Sequence, residues 1–183
     1  MTSWYLRFTA DYPWLSTILQ VVVCGMAGEL LAAKIQTHRW SFFGPGCRRF
    51  ALKLLVWVAL GAGFRLSLIV IYAVFAPQVP LRESSTGFVA IWVPALLQSL
   101  FLNLIFGPPT MLFHRACDNA LFSRSMNWRS MRQTWFTIVW FWIPAQTLTF
   151  SLPRPWQVAL AAVWGTALGG MLGFFSRARR GEG

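Results

Sequence analysis

The side chains that could carry out acid–base or metal chemistry are few in this sequence and lie far apart. His38 and His114 are the only histidines, and each is followed by an arginine. No H-x-x-x-H, G-x-S-x-G or phosphate-binding glycine loop occurs. The carboxylates are scattered, without a pair spaced to share acid and base roles: Asp11, Glu29, Glu83, Asp118 and Glu182. The sequence therefore predicts no catalytic site, no cofactor and no metal site, and we expect the protein not to be an enzyme.

The cysteines also give no indication of a metal site. Cys24, Cys47 and Cys117 form an odd set without a C-x-x-C pair. This spacing argues against a disulfide framework and against a thiolate zinc site.

A few polar side chains interrupt long apolar runs. An ionised group at the centre of a bilayer costs at least about 2.5–3.5 kcal/mol, so it usually faces protein or water. We expect Glu29 and Arg65 to pair across the first two helices or to share a polar cavity. The alternative is that Arg65 caps a backbone break or meets another polar group and that Glu29 is neutral. Gln98 and Gln146 complete this set, and such amides either line a pore or form interhelical hydrogen bonds.

The runs that carry these residues have the length of membrane spans. The chain has 183 residues, of which 56% are hydrophobic and 11% charged, whereas a soluble domain has about a quarter charged residues. At 1.5 Å per residue, about 20 residues cross a hydrocarbon core of roughly 30 Å. The predicted spans lie near 12–33, 54–76, 87–106, 135–152 and 156–176. The sequence thus predicts one all-α domain, a polytopic membrane helix bundle of about five transmembrane helices.

Prolines mark three features of this bundle. Gly107-Pro108-Pro109 should end the third helix near Phe106, because proline disfavours helix at the preceding residue. Residues 107–134 would then be an interfacial segment. Pro153-Arg154-Pro155 separates the last two runs and predicts a tight hairpin. Pro144 lies inside the fourth run, where it removes a helix hydrogen bond and predicts a bend or hinge.

Small residues predict where the helices pack. Lipid tails are as apolar as leucine, so membrane helices associate where small residues let backbones approach. In the last run a small residue recurs at every fourth position, and the first run has a glycine pair. The predicted packing residues are Ala161, Gly165, Gly169 and Gly173 in the last run and Gly25 and Gly28 in the first.

The charge distribution predicts the orientation. A net charge of +11 would by itself suggest nucleic acid, but the basic residues cluster between apolar runs, so no nucleic-acid partner is expected. Five crossings place Arg7, Arg82 and Arg154 on one side of the membrane, although a re-entrant last hairpin gives the same distribution. The other side receives Lys34, Arg39, Arg48, Arg49, Lys53, Arg115, Arg124, Arg129, Arg132, Arg177, Arg179 and Arg180. The positive-inside rule assigns this second side to the cytoplasm of a bacterium or to the mitochondrial matrix.

Motifs at both ends of the chain resemble those of a known membrane family. The N-terminal run carries Trp4, Tyr5, Pro13, Gly28 and Gln36, with Glu29 where that family has aspartate. The C-terminal half carries Asn127, Trp128, Trp142, Pro144, Gln146, Phe150, Pro153 and Trp164. With these residues the chain resembles a diverged member of the family of the 22-kilodalton peroxisomal membrane protein and the mitochondrial Mpv-seventeen protein.

The resemblance implies a non-enzymatic protein of the mitochondrial inner membrane or the peroxisome, with its fold formed by membrane helices. We expect the inner membrane, with the N-terminus on the intermembrane-space side and the C-terminus in the matrix. Phe88 and Val89 stand where the family has Asp-Gln, so polar lining residues are missing. A structural accessory subunit of a larger respiratory complex is therefore expected, in contact with anionic lipids such as cardiolipin and with other membrane subunits. The alternative is a weakly selective channel or small-solute transporter.

Overall fold

A computed structural model of the protein describes residues 2–38, 40, 47–75, 87–121 and 135–181, without the side chains of residues 2–3, 47, 172–173 and 175–181. The part 122–134 of the predicted interfacial segment lies outside the described residues. So do several residues used for the charge count, the carboxylate survey and the family resemblance. These are Arg39, Arg82, Glu83, Arg124, Asn127, Trp128, Arg129, Arg132 and Glu182.

The described residues form helices and contain no strand, which confirms the all-α class. The α-helices are α1 Thr2–Asp11, α2 Pro13–Thr37, α3 Cys47–Val74, α4 Phe88–Phe101, α5 Gly107–Leu121, α6 Ile143–Ser151 and α7 Arg154–Gly181. Two π-helical segments accompany them: Leu102–Phe106 joins α4 to α5, and Ile138–Trp142 precedes α6. Three continuous helical stretches are long and apolar enough to span a bilayer: Pro13–Thr37, Arg48–Val74 and Phe88–Leu121.

The distribution of polarity between inside and outside is that of a membrane protein. Large apolar side chains such as Leu55 and Leu104 are 62% and 59% exposed. Polar side chains such as Ser99 and Gln157 are 0% and 1% exposed. In water this arrangement would forfeit the hydrophobic effect, whereas in lipid it satisfies polar groups inside and leaves apolar groups against acyl chains. Together with the three long helices, it supports an integral membrane protein.

The ends of α2 follow ordinary helix-terminus chemistry. Pro13 occupies the first position, where its missing N–H has no helical partner. At the other end His38 adopts a left-handed conformation with φ 60°, and its N–H donates to the carbonyl oxygen of Lys34. The Lys34 Nζ donates in turn to the carbonyl oxygen of His38 at 3.0 Å.

The prediction that the third helix ends near Phe106 is wrong. Helix continues from α4 through the π segment Leu102–Phe106 and on to Leu121. A proline ring in an unbroken α-helix clashes with the carbonyl four residues earlier. The wider π turn changes the register before Pro108 and Pro109, so both prolines lie in the first turn of α5, where proline is tolerated.

The chain divides into two compact units. Unit 1 comprises Met1–Gly61 and Ala159–Gly183, and unit 2 comprises Ala62–Val158. Helices α3 and α7 therefore contribute residues to both.

In unit 1, α2 packs against both α3 and α7. Along α3 the contacts pair Ile18 with Gly61 and Glu29 with Lys53, so α2 and α3 are antiparallel. Along α7 they pair Cys24 with Thr166 and Leu31 with Gly170, so α2 and α7 are parallel. The start of α2 and the end of α7 consequently lie at opposite ends of unit 1.

Helix α1 is connected to the first half of α2 by a hydrogen bond. The phenol of Tyr5 donates to the side-chain oxygen of Gln20 at 3.2 Å, and Gln20 also donates to Ser16 Oγ at 2.8 Å. Burial raises the pKa of Tyr5 above its ordinary value, and the Gln20 contact opposes that rise. The phenol therefore remains protonated at neutral pH and keeps its donor role.

In unit 2, α4 and α6 run antiparallel around an apolar core. Ser99 contacts Ile143, and Gly107 lies beside Ile138. The core consists of Leu68, Ile71, Ala95, Leu102, Phe150 and Val158.

Candidate functional site

The ionic centre of unit 1 joins α2 to α3 through the carboxylate of Glu29. The Lys53 ammonium lies 2.7 Å from Glu29 Oε1, and the indole Nε1 of Trp57 donates to the same oxygen at 2.8 Å. Lys53 is 1% exposed and Glu29 23% exposed. A partly buried carboxylate needs a cation and hydrogen-bond donors to offset its loss of hydration, and this site supplies both.

The absence of a side chain at Gly25 leaves space for the Trp57 indole. A Cβ at position 25 would overlap the indole ring of Trp57. Because Gly25 precedes Glu29 by one helical turn, the ring packs against α2 at Gly25 while its N–H reaches the carboxylate. The glycine at position 25 is therefore part of the hydrogen-bonding geometry of Glu29.

The partner of Glu29 differs from the one that the sequence suggested. We expected Arg65 as the cation and treated Lys53 as a loop residue. Helix α3 instead begins at Cys47, about two turns before the start of the predicted span, and this places Lys53 inside the helix. Lys53 and Trp57 are four residues apart, so both side chains face α2. The predicted span began after Lys53, so this spacing was not recognised in the sequence.

The contact between α2 and α7 is a close approach of backbones. A Cβ at Gly169 would lie 2.6 Å from the carbonyl oxygen of Gly28, and a Cβ at Gly28 would lie 3.0 Å from that of Gly165. The Thr166 hydroxyl also donates to the carbonyl oxygen of Cys24 at 2.7 Å. Glycine is thus required at 169 for the helices to come this close, and glycine at 28 avoids a tight contact at the same place.

The other predicted packing residues differ in their surroundings. A Cβ at Gly165 would meet nothing within 4 Å, so only its backbone takes part in the contact. Ala161 is 7% exposed and buried in α7. Gly173 lies in α7, and its surroundings fall outside what the structure describes.

The polar centre of unit 2 lies where the two π segments meet. Ser99 Oγ donates to the carbonyl oxygen of Ile143 at 2.8 Å. Asn103 Nδ2 donates to the carbonyl oxygen of Trp142 at 3.4 Å and to that of Ser99 at 2.9 Å. The side chains of α4 and its π segment therefore bond to backbone carbonyls of the facing helix, at the point where a π turn disturbs its regular ladder.

Pro144 explains why that ladder is disturbed. In an unbroken α-helix its ring would press on the carbonyl of Trp140. The structure inserts the π segment Ile138–Trp142 immediately before α6, which accommodates the ring. Close to this predicted hinge, Thr147 Oγ1 donates to the carbonyl oxygen of Ile143 at 2.7 Å.

The remaining predicted polar residues lie in unit 2. Gln98 is buried in α4, and Gln146 is 3% exposed in α6. Within the described part of the chain, four buried side-chain atoms have no hydrogen-bond partner: Arg65 Nε, His114 Nε2, Trp142 Nε1 and Gln146 Oε1. All four belong to unit 2. Sequence reasoning singled out Arg65 and Gln146 as polar residues within the membrane. It used Trp142 only in the family resemblance, because the indole nitrogen of Trp142 becomes buried only through packing.

The turn between α6 and α7 is fixed to the end of α3. The Tyr72 hydroxyl donates to Gln157 Oε1 at 2.7 Å, and Gln157 Nε2 donates to the carbonyl oxygen of Leu152 at 2.8 Å. The guanidinium of Arg154 lies 4.7 Å from the centre of the Tyr72 ring, within the range of a cation–π interaction. Tyr72 therefore contacts both Arg154 and Gln157 at the predicted turn.

Metal ligands do not cluster among residues 2–38, 40, 47–75, 87–121 and 135–181, where no group of three or more His, Cys, Asp or Glu side chains converges. Comparison with known proteins found no matching family profile, no similar curated protein and no similar solved structure.

Proposed function

We propose that the chain is a non-enzymatic integral membrane protein of the mitochondrial inner membrane that crosses the bilayer five times and serves as a structural accessory subunit of a larger membrane complex. The observation that carries this proposal is that polar side chains inside the protein bond to one another and to backbone groups. Glu29 binds Lys53 and Trp57, Ser99 bonds to the carbonyl oxygen of Ile143, and Tyr72 bonds to Gln157. Polar side chains engaged in interhelical bonds hold a bundle in one arrangement, as a fixed subunit requires.

The direction of the helices supports an odd number of crossings. Helices α2 and α7 are parallel in unit 1, so a chain that enters α2 from one side of a bilayer leaves α7 on the other. The chain turns at Leu152 after α6, and α7 then continues for 28 residues, more than the roughly 20 needed to cross. A re-entrant last hairpin fits this length less well than a full crossing.

The assignment to the mitochondrial inner membrane rests on the sequence resemblance and on the clustered basic residues. On this proposal the basic side faces the matrix. The exposed aromatic side chains, including Trp4 and Trp40 at 69% and 64%, are suited to headgroup contacts with anionic lipids or to contacts with neighbouring subunits.

Native electrophoresis in a mild detergent, followed by mass spectrometry of the excised band, tests the subunit role. We expect the chain to co-migrate with a larger set of membrane proteins. Migration solely as a monomer or a homo-oligomer would contradict this function. Reporter tags on both termini test the layout separately, with the expectation that they fall in opposite compartments.

A channel or small-solute transporter is the second candidate, favoured by the orphaned polar atoms of unit 2. Gln146 Oε1 and Arg65 Nε are buried without a hydrogen-bond partner, as side chains facing a polar solute or water would be. Planar-bilayer recording of the purified chain tests this candidate, with Gln146→Leu as the variant. Conductance that the variant abolishes would support the channel, and the absence of conductance in the wild type would contradict it.

A further inference from the structure

Three aromatic side chains form an exposed stripe along α1 in unit 1. The rings of Trp4 and Phe8 are stacked with their centres 5.5 Å apart, and the rings of Phe8 and Tyr12 lie 6.0 Å apart. Residues four apart share one face of a helix, so the three rings are continuous. Trp4 is 69% exposed and Tyr12 is 59% exposed, so the rest of the described chain leaves most of both rings uncovered.

The position of α1 follows from the hydrogen bond between Tyr5 and Gln20. In one continuous helix these residues would lie roughly 22 Å apart along the axis, farther than two side chains can reach. The helix breaks at Tyr12, where φ is -126° and ψ is 59°, and the Tyr5 hydroxyl reaches Gln20 at 3.2 Å. Helix α1 therefore folds back beside the first half of α2 instead of extending its axis.

This fold-back sets the level of α1 relative to the long apolar helix. From Pro13, where that helix begins, to Gln20 the rise is roughly 10 Å. Helices that lie in the interface of a bilayer are buried by about 5–10 Å, at the boundary between headgroups and acyl chains. On the same part of α2, Leu15 and Leu19 are 55% and 50% exposed, so in a bilayer they would face lipid beside α1.

The exposed sides of α1 differ in chemistry. Trp4 and Tyr12 each join an apolar ring to a polar N–H or O–H, and such side chains are enriched at headgroup level. Arg7 and Asp11, also four residues apart, are exposed along a separate line of the helix. An aromatic side toward acyl chains and a charged side toward water are typical of an interfacial helix.

We propose that α1 is an interfacial anchor whose aromatic stripe, formed by Trp4, Phe8 and Tyr12, binds phospholipid at the boundary between headgroups and acyl chains and so fixes the depth of α2 in the bilayer. The exposed apolar surface of α2 at the same level favours lipid over a protein partner as the occupant. The inference rests on the proposed function only in requiring that the chain crosses a bilayer.

Site-specific photocrosslinking of the full chain in liposomes of dioleoyl phosphatidylcholine tests the anchor. The photoreactive aromatic residue p-benzoyl-L-phenylalanine replaces Trp4 in one variant and Ala10 in a matched control, and mass spectrometry measures the covalent lipid adducts. Ala10 is exposed on the side of α1 away from the stripe. We expect about fivefold more lipid adducts at position 4 than at position 10, because only the stripe faces acyl chains.

A second set of variants separates lipid contact from a general effect on folding. With the photoreactive residue at position 12, Trp4→Ser should lower the yield of lipid adducts about twofold or more, because it removes apolar area that holds α1 in the interface. Trp4→Tyr keeps an amphipathic ring and should preserve the yield. Equal losses in the Ser and Tyr variants would contradict a role for the aromatic stripe in lipid binding.

Other outcomes would also overturn the proposal. Equal adduct yields at positions 4 and 10 would show that the stripe has no preferred contact with lipid. Crosslinks from position 4 to another protein in native membranes, or to a second copy of the chain in liposomes, in place of lipid would identify a protein occupant.

Membrane retention is measured separately, so that the anchor and the membrane-spanning premise can fail independently. A chain that resists extraction by alkaline carbonate but forms no lipid adduct at position 4 would overturn the anchor alone. A chain that alkaline carbonate extracts without detergent would overturn the anchor together with the membrane-spanning premise.

Discussion

Units 1 and 2 hold their helices together by different physical means. In unit 1, α2 meets α3 through the partly buried ion pair of Glu29 and Lys53 and meets α7 through the backbones of Gly28 and Gly169. In unit 2, α4 meets α6 through neutral hydrogen bonds to carbonyls beside a π segment. Since lipid offers no hydrophobic drive between helices, each unit relies on close approach or on polar pairing, and the strength of these contacts should differ.

The units also differ in how fully they satisfy their buried polar groups. In the described part of the chain, all four buried side-chain atoms without a partner belong to unit 2. Unit 1 is therefore the region in which a change should be most damaging, while unit 2 contains polar groups whose removal should be tolerated. This contrast makes predictions that can be ranked by size.

The largest effect should follow from Lys53→Met in unit 1. The change removes the Lys53 ammonium from the Glu29 carboxylate, which is only partly buried, so the loss should be up to about 3–5 kcal/mol, the cost of breaking a fully buried pair. The measurement is the free energy of unfolding in mixed detergent micelles. The double variant Lys53→Met with Glu29→Gln removes both charges and should recover most of the loss. If the single variant is as stable as the wild type, the ion pair is not what holds α2 to α3.

Gly169→Ala should have the next largest effect, a loss of about 1–3 kcal/mol from overpacking. The added methyl group would lie 2.6 Å from the carbonyl oxygen of Gly28, so the α2 and α7 backbones must separate. Gly165→Ala is the matched control on the same helix, because its methyl group meets nothing within 4 Å. We expect the control to be neutral or slightly stabilising in the same unfolding assay. Equal losses of unfolding free energy in both variants would contradict the close contact between α2 and α7 at Gly169.

In unit 2, Gln146→Leu should increase the free energy of unfolding rather than lower it. It replaces a buried carboxamide whose oxygen lacks a partner with an apolar side chain of similar size, which should raise the unfolding free energy by about 1 kcal/mol. Gln98→Leu, at another buried amide, provides the comparison. A marked loss of stability in Gln146→Leu would mean that the Gln146 side-chain oxygen does bind a partner. The two units would then differ less in how fully they satisfy their buried polar groups.

The smallest effect is expected for Asn103→Leu. Neutral hydrogen bonds between membrane helices contribute about 0.6 kcal/mol on average, so the loss should be close to that value. A double-mutant cycle with Ser99→Ala measures the coupling of the two donors. A loss as large as that of Lys53→Met would show that the π-segment contact is as strong as the ion pair.

Much of the helical layout could be predicted from apolar runs alone. The first, fourth and last runs begin and end within a few residues of a helix or lie inside one, because about 20 apolar residues satisfy their backbone only as helix. The second run corresponds to α3, although that helix begins seven residues before the run. The third run was extended beyond its predicted end. The rule that proline stops a helix failed at Pro108 and Pro109 because a π turn placed both in a position that tolerates them.

The polar centres were less accessible to sequence reasoning. Glu29 could be singled out because it is a charge within an apolar run, but its partner depended on where α3 begins. The packing roles of Trp142 and Gln157 could not be predicted, because neither residue type nor spacing reveals which helix lies opposite.

The sequence by itself determined that this chain is made of apolar helices with a few internal polar groups, because hydropathy and helix length are local properties. Only the tertiary structure decided that Lys53 neutralises Glu29, that Gly28 meets Gly169 and that Ser99 and Asn103 bond to carbonyls of the facing helix. These choices depend on which helices are neighbours and in what register. That register is set by backbone contact and polar pairing over separations of 24 to 141 residues, which no local pattern encodes.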